Sequence, residues 1–445
     1  MKILHTSDWH LGQSFFTKSR KNEHAAFLRW LLDEVEEKCV DALIVAGDVF
    51  DTGTPPSYAR ELYHEFIGAL QDKQCTLVVL GGNHDSVSVL NESKALLKYL
   101  NSHVVASTNI DDSEQVFALK DKSGNQAAIL CAVPFIRPRD VVTSEAGQSA
   151  IDKRQNLGNA IKQHYASLYQ QACTLRDSIN PNIPIIATGH LTALGVSQSE
   201  SVRDIYIGTL EGFDAAGFPP ADYIALGHIH RPQKVAGKEY IRYCGSPIPL
   251  SFDELNTQKQ VVLVDFNSEE MPSASTPTIT PIAVPRFQAM AVIKGDLPAI
   301  EHAINHSAEI QKATSDNPVW LCIEVETQDY LTDLQQRVQA LLEDKHAEIL
   351  QLKRVRKRKQ SSLSQKENIQ LSELSVAEVF AARMALENIE EESEHAKQKE
   401  SSPNDRKARI EQLFAEALEL VQGNSEDVKS EELVSSKQQD KGEDL

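Results

Sequence analysis

No two cysteines in this 445-residue chain stand at Cys-x-x-Cys spacing, and the six that occur (Cys39, Cys75, Cys131, Cys173, Cys244, Cys322) are scattered, most of them in apolar runs. A disulfide framework and a structural zinc site are therefore not expected; buried free thiols are. No apolar stretch is long enough to cross a bilayer, so no membrane partner is expected. The N-terminus, Met1-Lys2-Ile3-Leu4-His5-Thr6-Ser7-Asp8, enters a strand pattern at once without a signal-peptide core, and cytoplasmic residence is the expectation. The chain also lacks a Gly-x-x-x-x-Gly-Lys-[Ser/Thr] loop, so any dependence on ATP has to come from another polypeptide.

Positive charge is scarce as well. The formal net charge is -19, which argues on its face against a nucleic-acid partner, because phosphate binding needs cations. Its distribution weakens that objection. Residues 361–445 hold 20 Asp and Glu against 10 Lys and Arg, a net -10, leaving -9 over the 360 residues before them. Bound divalent metals would offset part of that locally.

A chain of this length exceeds one hydrophobic core and implies two or three domains. The first hundred residues alternate strand and helix. Ile3 to Thr6, Ala42 to Ala46 and Leu77 to Leu80 read as strands. Glu23 to Lys38 places Phe27, Leu28, Leu31, Leu32 and Val35 on one helical face; Pro55-Pro56 opens a second helix, and a third runs through Leu96, Leu97 and Leu100. Beyond residue 101 the strands come closer together, at 127–133, 183–188, 222–226, 240–244 and 260–266, interrupted by a helix from about 150 to 178. That pattern fits a second sheet packed on the first: a four-layer α/β/β/α sandwich over 1–268.

A Ser/Thr/Pro-rich boundary follows at 268–285. Residues 285–360 then read as a small α+β domain, with strands at Ala289 to Ile293 and Val319 to Val325 and a helix over Leu331 to Leu342. It ends in a basic run, Lys353-Arg354-Val355-Arg356-Lys357-Arg358-Lys359, which is either a solvated strand edge or a phosphate-contact patch. Residues 365–423 carry two amphipathic helices, one with Val376, Val379, Phe380 and Met384, the other with Ile410, Leu413, Phe414, Leu418 and Val421. Such stripes have nothing nearby in sequence to pack on and suggest docking to a partner. Residues 424–445 form an acidic tail expected to be disordered.

Five short motifs punctuate the first 230 residues, each at the end of an apolar run: Asp8-Trp9-His10, Gly47-Asp48-Val49-Phe50-Asp51, Gly82-Asn83-His84-Asp85, Gly189-His190 and Gly227-His228-Ile229-His230. A lone Gly-His or Asp-x-His is most often a chance pair or a turn. The ordered set at successive strand ends, where open α/β sheets place ligand sites, is another matter. Hydrolysing a phosphodiester needs a nucleophile at neutral pH, neutralised phosphoryl oxygens and a proton for the departing oxygen. Two divalent cations roughly 3.5–4 Å apart supply the first two. A carboxylate is the natural bridge, and Asp48 is the candidate. Asp8 and His10, alternate residues past a strand, suit one metal; His228 and His230 share that relation, and Asn83 and His190 complete the second. Mixed oxygen and imidazole ligands favour Mn²⁺, Fe²⁺ or Zn²⁺ over Mg²⁺ or Ca²⁺. His84 stands at the rim as a proton donor with Asp85 orienting its ring, and Asp51 is expected behind the ligands, holding a histidine or a ligand-bearing loop. Of the other histidines, His5 reads as a core residue and His24, His64, His103, His164, His302, His306, His346 and His395 as surface or helix positions.

The order of these motifs resembles the calcineurin-like metallophosphoesterase superfamily over residues 1–265. Thr52-Gly53-Thr54-Pro55-Pro56 and Asp85 depart from its serine/threonine phosphatases, whereas Ile3 to Gly12 and Gly47 to Gly53 look like its DNA-repair exonuclease branch. Tyr206-Ile207-Gly208-Thr209, Tyr243 to Phe252 and Leu371-Ser372-Glu373-Leu374-Ser375 resemble that branch's bacterial nuclease subunits. The resemblance implies a manganese-dependent nuclease, acting as a 3′-to-5′ exonuclease on duplex DNA and an endonuclease on single strands and hairpins, in repair, replication and recombination. It implies that 285–360 is a DNA-facing capping domain, that the tail helices bind a coiled-coil ATPase, and that the subunit forms a homodimer. It further implies one metal on Asp8, His10, Asp48 and His230, the other on Asp48, Asn83, His190 and His228, and His84 as the catalytic histidine. The alternative is a metallophosphatase or small-molecule phosphodiesterase with the same metals; the extra domain and the tail speak against it, since a small substrate needs neither.

Overall fold

In a computed structural model the chain divides into two compact units, Met1–Arg356 and Lys357–Leu445. The structure describes residues 1–108, 114–142, 149–203, 205, 212–266, 277–326 and 333–355, together with 409 and 412–414. Expectations for Tyr206 to Thr209, for 271–276, for the end of the basic run from Arg356 and for nearly all of the tail fall outside those residues. Of the second unit, 409 and 412–414 are described, and they are helical.

Two six-stranded sheets organise the first unit. In spatial order the first is Thr278–Ala283, Gln260–Asp265, Lys2–Thr6, Ala42–Val45, Thr76–Leu80 and Ser102–Val105. The second is Gln233–Val235, Lys238–Tyr243, Tyr223–Gly227, Ile185–His190, Gln126–Cys131 and Val116–Lys120. Four adjacent strands of each run parallel, and two antiparallel strands complete each sheet.

Side-chain alternation along these strands dictates the layers, because neighbours on a strand face opposite ways. Ala42, Ile44, Val78 and Leu80 meet Leu130, Ile186, Tyr223 and Ala225 in an apolar layer between the sheets. Leu43, Val45, Leu77 and Val79 turn the other way, onto the helices Lys21–Glu37 and Ser57–Asp72 through Phe27, Leu31, Phe66 and Leu70. Ile129, Ala187, Ile224 and Leu226 turn outward onto the helix Ala150–Ile179 through Leu157, Ile161, Tyr165 and Leu168. Parallel strands buried on both faces read as unbroken apolar runs, which is how these strands read in the sequence. The result is the α/β/β/α sandwich.

A third, three-stranded parallel sheet comprises Met290–Gly295, Val319–Glu326 and Ala347–Val355, with Val319–Glu326 in the middle. Val319, Leu321, Ile323 and Val325 bury one face against Ile300, Ile304 and Val338 of its helices. Trp320 and Cys322 alternate to the other face and meet Phe15 and Phe252 of the sandwich. Trp320 and Phe15 stack with centroids 5.8 Å apart.

Three expectations are corrected. The strand at 260–266 belongs to the first sheet, where Gln260–Asp265 runs antiparallel beside Lys2–Thr6; position along the chain suggested the second. Part of the boundary at 268–285 is a strand, Thr278–Ala283, which tolerates Pro281 because it lies on an edge and needs no inward amide hydrogen. The helix through Leu96, Leu97 and Leu100 is broken into Val87–Asn91, Lys94–Leu97 and a 3₁₀ turn, Lys98–Leu100, leaving Leu96 64% exposed. The edge strands Ser102–Val105, Val116–Lys120 and Gln233–Val235 had no sequence signal strong enough to separate them from loops.

His24, read as a surface or helix position, lies on the Lys21–Glu37 helix and is fully buried. Burial, and then the nearby Arg20 charge, pushes its pKa down to about 3. The unfolded chain would take up this proton near pH 6.5. A depressed pKa therefore stabilises the fold fully above that value, and the contribution is lost as pH falls toward 3. In metal-free protein, His24→Leu should lose less stability than wild type between pH 7 and 4.5, as read from urea midpoints. An equal loss in both would contradict the buried, neutral imidazole.

Candidate metal centre

The parallel strands of both sheets end on the same side, and their C-terminal ends, with the loops that follow, carry every motif. Backbone hydrogen bonds join the first two loops: Asp8 N–H to Gly47 O (3.0 Å), His10 N–H to Asp48 O (3.0 Å) and Leu11 N–H to Val49 O (2.8 Å). In these loops Asp8, His10 and Asp48 adopt left-handed φ of 54°, 47° and 50°, and His228 has φ 93°. The alternation read for Asp8 and His10 is therefore not that of a strand; a tight turn brings their side chains to one point. Non-glycine residues held in this region cost free energy, on the order of 1–3 kcal/mol each, and collect at functional sites.

Glycines make room for the ligands. A Cβ at Gly47, where φ is +93°, would lie 2.2 Å from the His190 ring. One at Gly227 would lie 1.9 Å from the carbonyl oxygen of Ala46, so the two sheets could not approach.

Six of the seven candidate ligands are buried, Asn83 partly. The six buried ones and His84 form three overlapping groups, Asp8/His10/His230, His10/Asp48/His84 and Asp48/His190/His228, each within 4.8 Å. His190 donates from Nδ1 to Ala46 O (2.9 Å), which turns Nε2 toward Asp48 Oδ2 (3.3 Å) and Asn83 Oδ1 (2.9 Å). His228 Nδ1 is 3.1 Å from the same Asn83 oxygen. His10 Nδ1 lies 3.1 Å from Asp51 Oδ1, and its Nε2 is 3.7 Å from Asp48 Oδ2. Asp8 accepts from the His228 amide at 2.9 and 3.1 Å and from Ser7 Oγ at 2.6 Å.

Within the cluster two buried ring nitrogens, His10 Nε2 and His228 Nε2, have no hydrogen-bond partner in the protein. Unsatisfied buried polar atoms are rare in folded proteins, and here they converge with carboxylate and amide oxygens. The donor set suits divalent metal ions.

In the metal-free protein, charges within the cluster outweigh burial at His190 and Asp48. Burial would depress His190, but the Asp48 carboxylate beside it raises its pKa to about 9. Burial would raise Asp48, but the neighbouring His190 and His10 hold it well below the usual carboxylate range. His228 is pushed well down by burial and by the charge on His190. Such a cluster takes up protons in place of cations, so metal binding releases them.

His84 lies against His10, ring centroids 4.7 Å apart, and donates from Nδ1 to the backbone oxygen of Asp51 at 2.7 Å. The expectation that Asp85 orients the His84 ring is corrected. The Asp85 carboxylate accepts instead from the backbone amides of Gly82 (2.9 Å), Phe50 (2.9 Å) and Val49 (3.1 Å), tying the third loop to the second. Burial, then repulsion from Asp48, raises its pKa to about 6 despite those three donors. Asp51 touches both rings, His10 through its carboxylate and His84 through its carbonyl. Ser7, next to Asp8 in the chain, braces that carboxylate; Ser201 and Glu254, which brace His230, belong to no motif, and only tertiary structure brings them in.

The calcineurin-like phosphoesterase family model matches residues 1–232, and the type 5 capsule protein repressor C-terminal domain model matches residues 286–388. The SbcCD nuclease D subunit of Escherichia coli is 49% identical over 426 residues, 96% of this chain and 100% of its own. That of Rhodobacter capsulatus is 32% identical over 352 residues, 77% of this chain and 84% of its own. That of Bacillus subtilis is 31% identical over 274 residues, 61% and 67% respectively.

Gly47→Ala should weaken metal binding roughly tenfold or more while leaving far-ultraviolet circular dichroism unchanged, because the new methyl collides with His190. Wild-type metal affinity in that variant, read by titration calorimetry, would contradict the packing described.

Proposed function

This chain belongs to the family of SbcCD nuclease D subunits, and from that membership we propose that it is the metal-dependent nuclease subunit of an SbcCD-type complex, hydrolysing phosphodiester bonds of DNA. The observation that carries the reading is the convergence of two carboxylates, an amide and four imidazoles from five strand ends, with buried ring nitrogens left without protein partners.

One divalent cation would be held by Asp8, His10, Asp48 and His230, a second by Asp48, Asn83, His190 and His228; mixed oxygen and imidazole donors suit Mn²⁺, Fe²⁺ or Zn²⁺, and the family resemblance points to manganese among them. When bound, such a pair supplies Lewis acidity and neutralises phosphoryl charge. The protein's own groups do the rest. Asp48 sits between the two ligand groups and counters their charge. Asp51 fixes His10 and His84, and Asp85 locks the Asn83–His84 loop onto the Asp48 loop. With Nδ1–H committed to a backbone oxygen, the His84 Nε2 is the nitrogen left for the departing oxygen; as the imidazolium, with a proton taken up on Nε2, the ring would give that proton to the departing oxygen and return to the neutral Nδ1–H form.

Residues 1–268 act as the nuclease domain. Residues 285–360 act as a DNA-facing capping domain, with Lys353 and Arg354 on its last strand. Residues 365–423 dock on an SbcC-type coiled-coil ATPase, and the subunit works as a homodimer in the cytoplasm. The lack of a P-loop fits ATP control from the partner. The activity is ATP-dependent 3′-to-5′ exonuclease on duplex DNA and endonuclease on single strands and hairpins. Among the described residues no helix is long and apolar enough to cross a membrane.

His84→Gln should abolish Mn²⁺-dependent cleavage of a DNA hairpin while both metals still bind; loss of metal in that variant would overturn the proton-donor role. Removing residues 365–445 should spare intrinsic cleavage of single-stranded DNA and uncouple it from ATP. Copurification of the truncated chain with the ATPase would refute the docking assignment.

A further inference from the structure

Behind His230 stand a hydroxyl and a carboxylate from two other segments. Ser201 Oγ lies 2.6 Å from His230 Nδ1 and also hydrogen-bonds Glu254 Oε1, which is itself 3.6 Å from that nitrogen. Glu254 has no exposed surface. Its Oε2 accepts from Lys259 Nζ at 2.5 Å and from the Leu250 amide at 3.0 Å. Lys259, also buried, donates to the carbonyl oxygen of His230 itself at 2.9 Å and to Ser246 Oγ at 2.8 Å. Ser199 Oγ reaches Glu254 Oε1 at 2.7 Å and Ser201 Oγ at 3.0 Å; no hydrogen bond joins it to His230.

The hydrogens in this network can be assigned by counting. A carboxylate paired with an ammonium is an acceptor only, and a serine hydroxyl has one proton. Ser201 gives that proton to Glu254. Toward His230 it then offers only a lone pair, so Nδ1 must carry a hydrogen, and in a neutral imidazole the lone pair is on Nε2.

We infer that Ser201 and Glu254 form a positioning relay that fixes His230 in its Nδ1–H tautomer and so presents Nε2 as a ligand to a divalent cation. The inference rests on the proposed metal site and adds to it two residues from outside the motifs. The arrangement parallels Asp51 on His10 and the Ala46 carbonyl on His190, each of which engages a ring through Nδ1. It differs in running through a hydroxyl, which makes the serine replaceable without changing the charge of the core.

The test uses the full-length, metal-stripped chain with Mn²⁺ alone as probe, together with ¹⁵N-histidine NMR of the metal-free protein, in which the His230 signals are those lost in His230→Asn. Wild type should show His230 as Nδ1–H. Ser201→Ala should lose that tautomer preference and weaken one of two Mn²⁺ sites by roughly 10- to 100-fold. Ser201→Thr, which keeps the hydroxyl, should restore affinity. Ser199→Ala should lose clearly less than Ser201→Ala, since that hydroxyl touches Glu254 and Ser201 but not the imidazole. An Nε2–H tautomer in wild type, unaltered Mn²⁺ binding in Ser201→Ala, or an equal loss in Ser199→Ala would overturn the relay. His230→Asn separates the two levels: if it binds both ions like wild type, the site assignment fails; if it weakens binding and Ser201→Ala does not, the relay alone fails.

Discussion

The fold is arranged around one buried carboxylate. Asp48 is 1% exposed, with His190, His10 and the His84 amide all directed at it. An isolated charge so placed would be costly, so its presence requires cations or protonated imidazoles around it. Left-handed backbone at Asp8, His10, Asp48 and His228 is the conformational cost of collecting those groups from separate loops. The two sheets and the apolar layer between them offset that cost by holding the strand ends rigidly together.

Much of this could be read from the residues. Strands buried on both faces appear as apolar runs, so the motifs could be placed at strand ends. Asp48, Asn83, His190 and His228 each follow a glycine, a pattern explained at Gly47 and Gly227 by the close approach of other groups. Asp85 illustrates the limit. Its position next to His84 suggested a partner for the ring, but adjacent side chains in a tight loop diverge, and the carboxylate binds backbone amides of the neighbouring loop. Ser201 and Glu254 lie 29 and 24 residues from His230 in segments without a motif, and nothing local marks them. The strand at 260–265 was legible as a strand but not by sheet, because pairing across more than 250 residues leaves no trace in periodicity.

The third sheet is tied to the site through short connections. Phe15, five residues after His10, packs on Trp320 and Phe252, and Lys18 pairs with Glu348 at 2.6 Å. Phe252 lies two residues before Glu254, so the same segment that meets the sheet also carries the carboxylate behind His230. Loops on both sides of the ligand cluster thus lean on one apolar contact.

The most direct test of the account is anomalous diffraction from crystals of the full-length chain grown with Mn²⁺. Two peaks should appear, one within bonding distance of Asp8, His10 and His230, the other of Asn83, His190 and His228, with Asp48 touching both. A single peak, or two that do not share Asp48, would contradict the central claim.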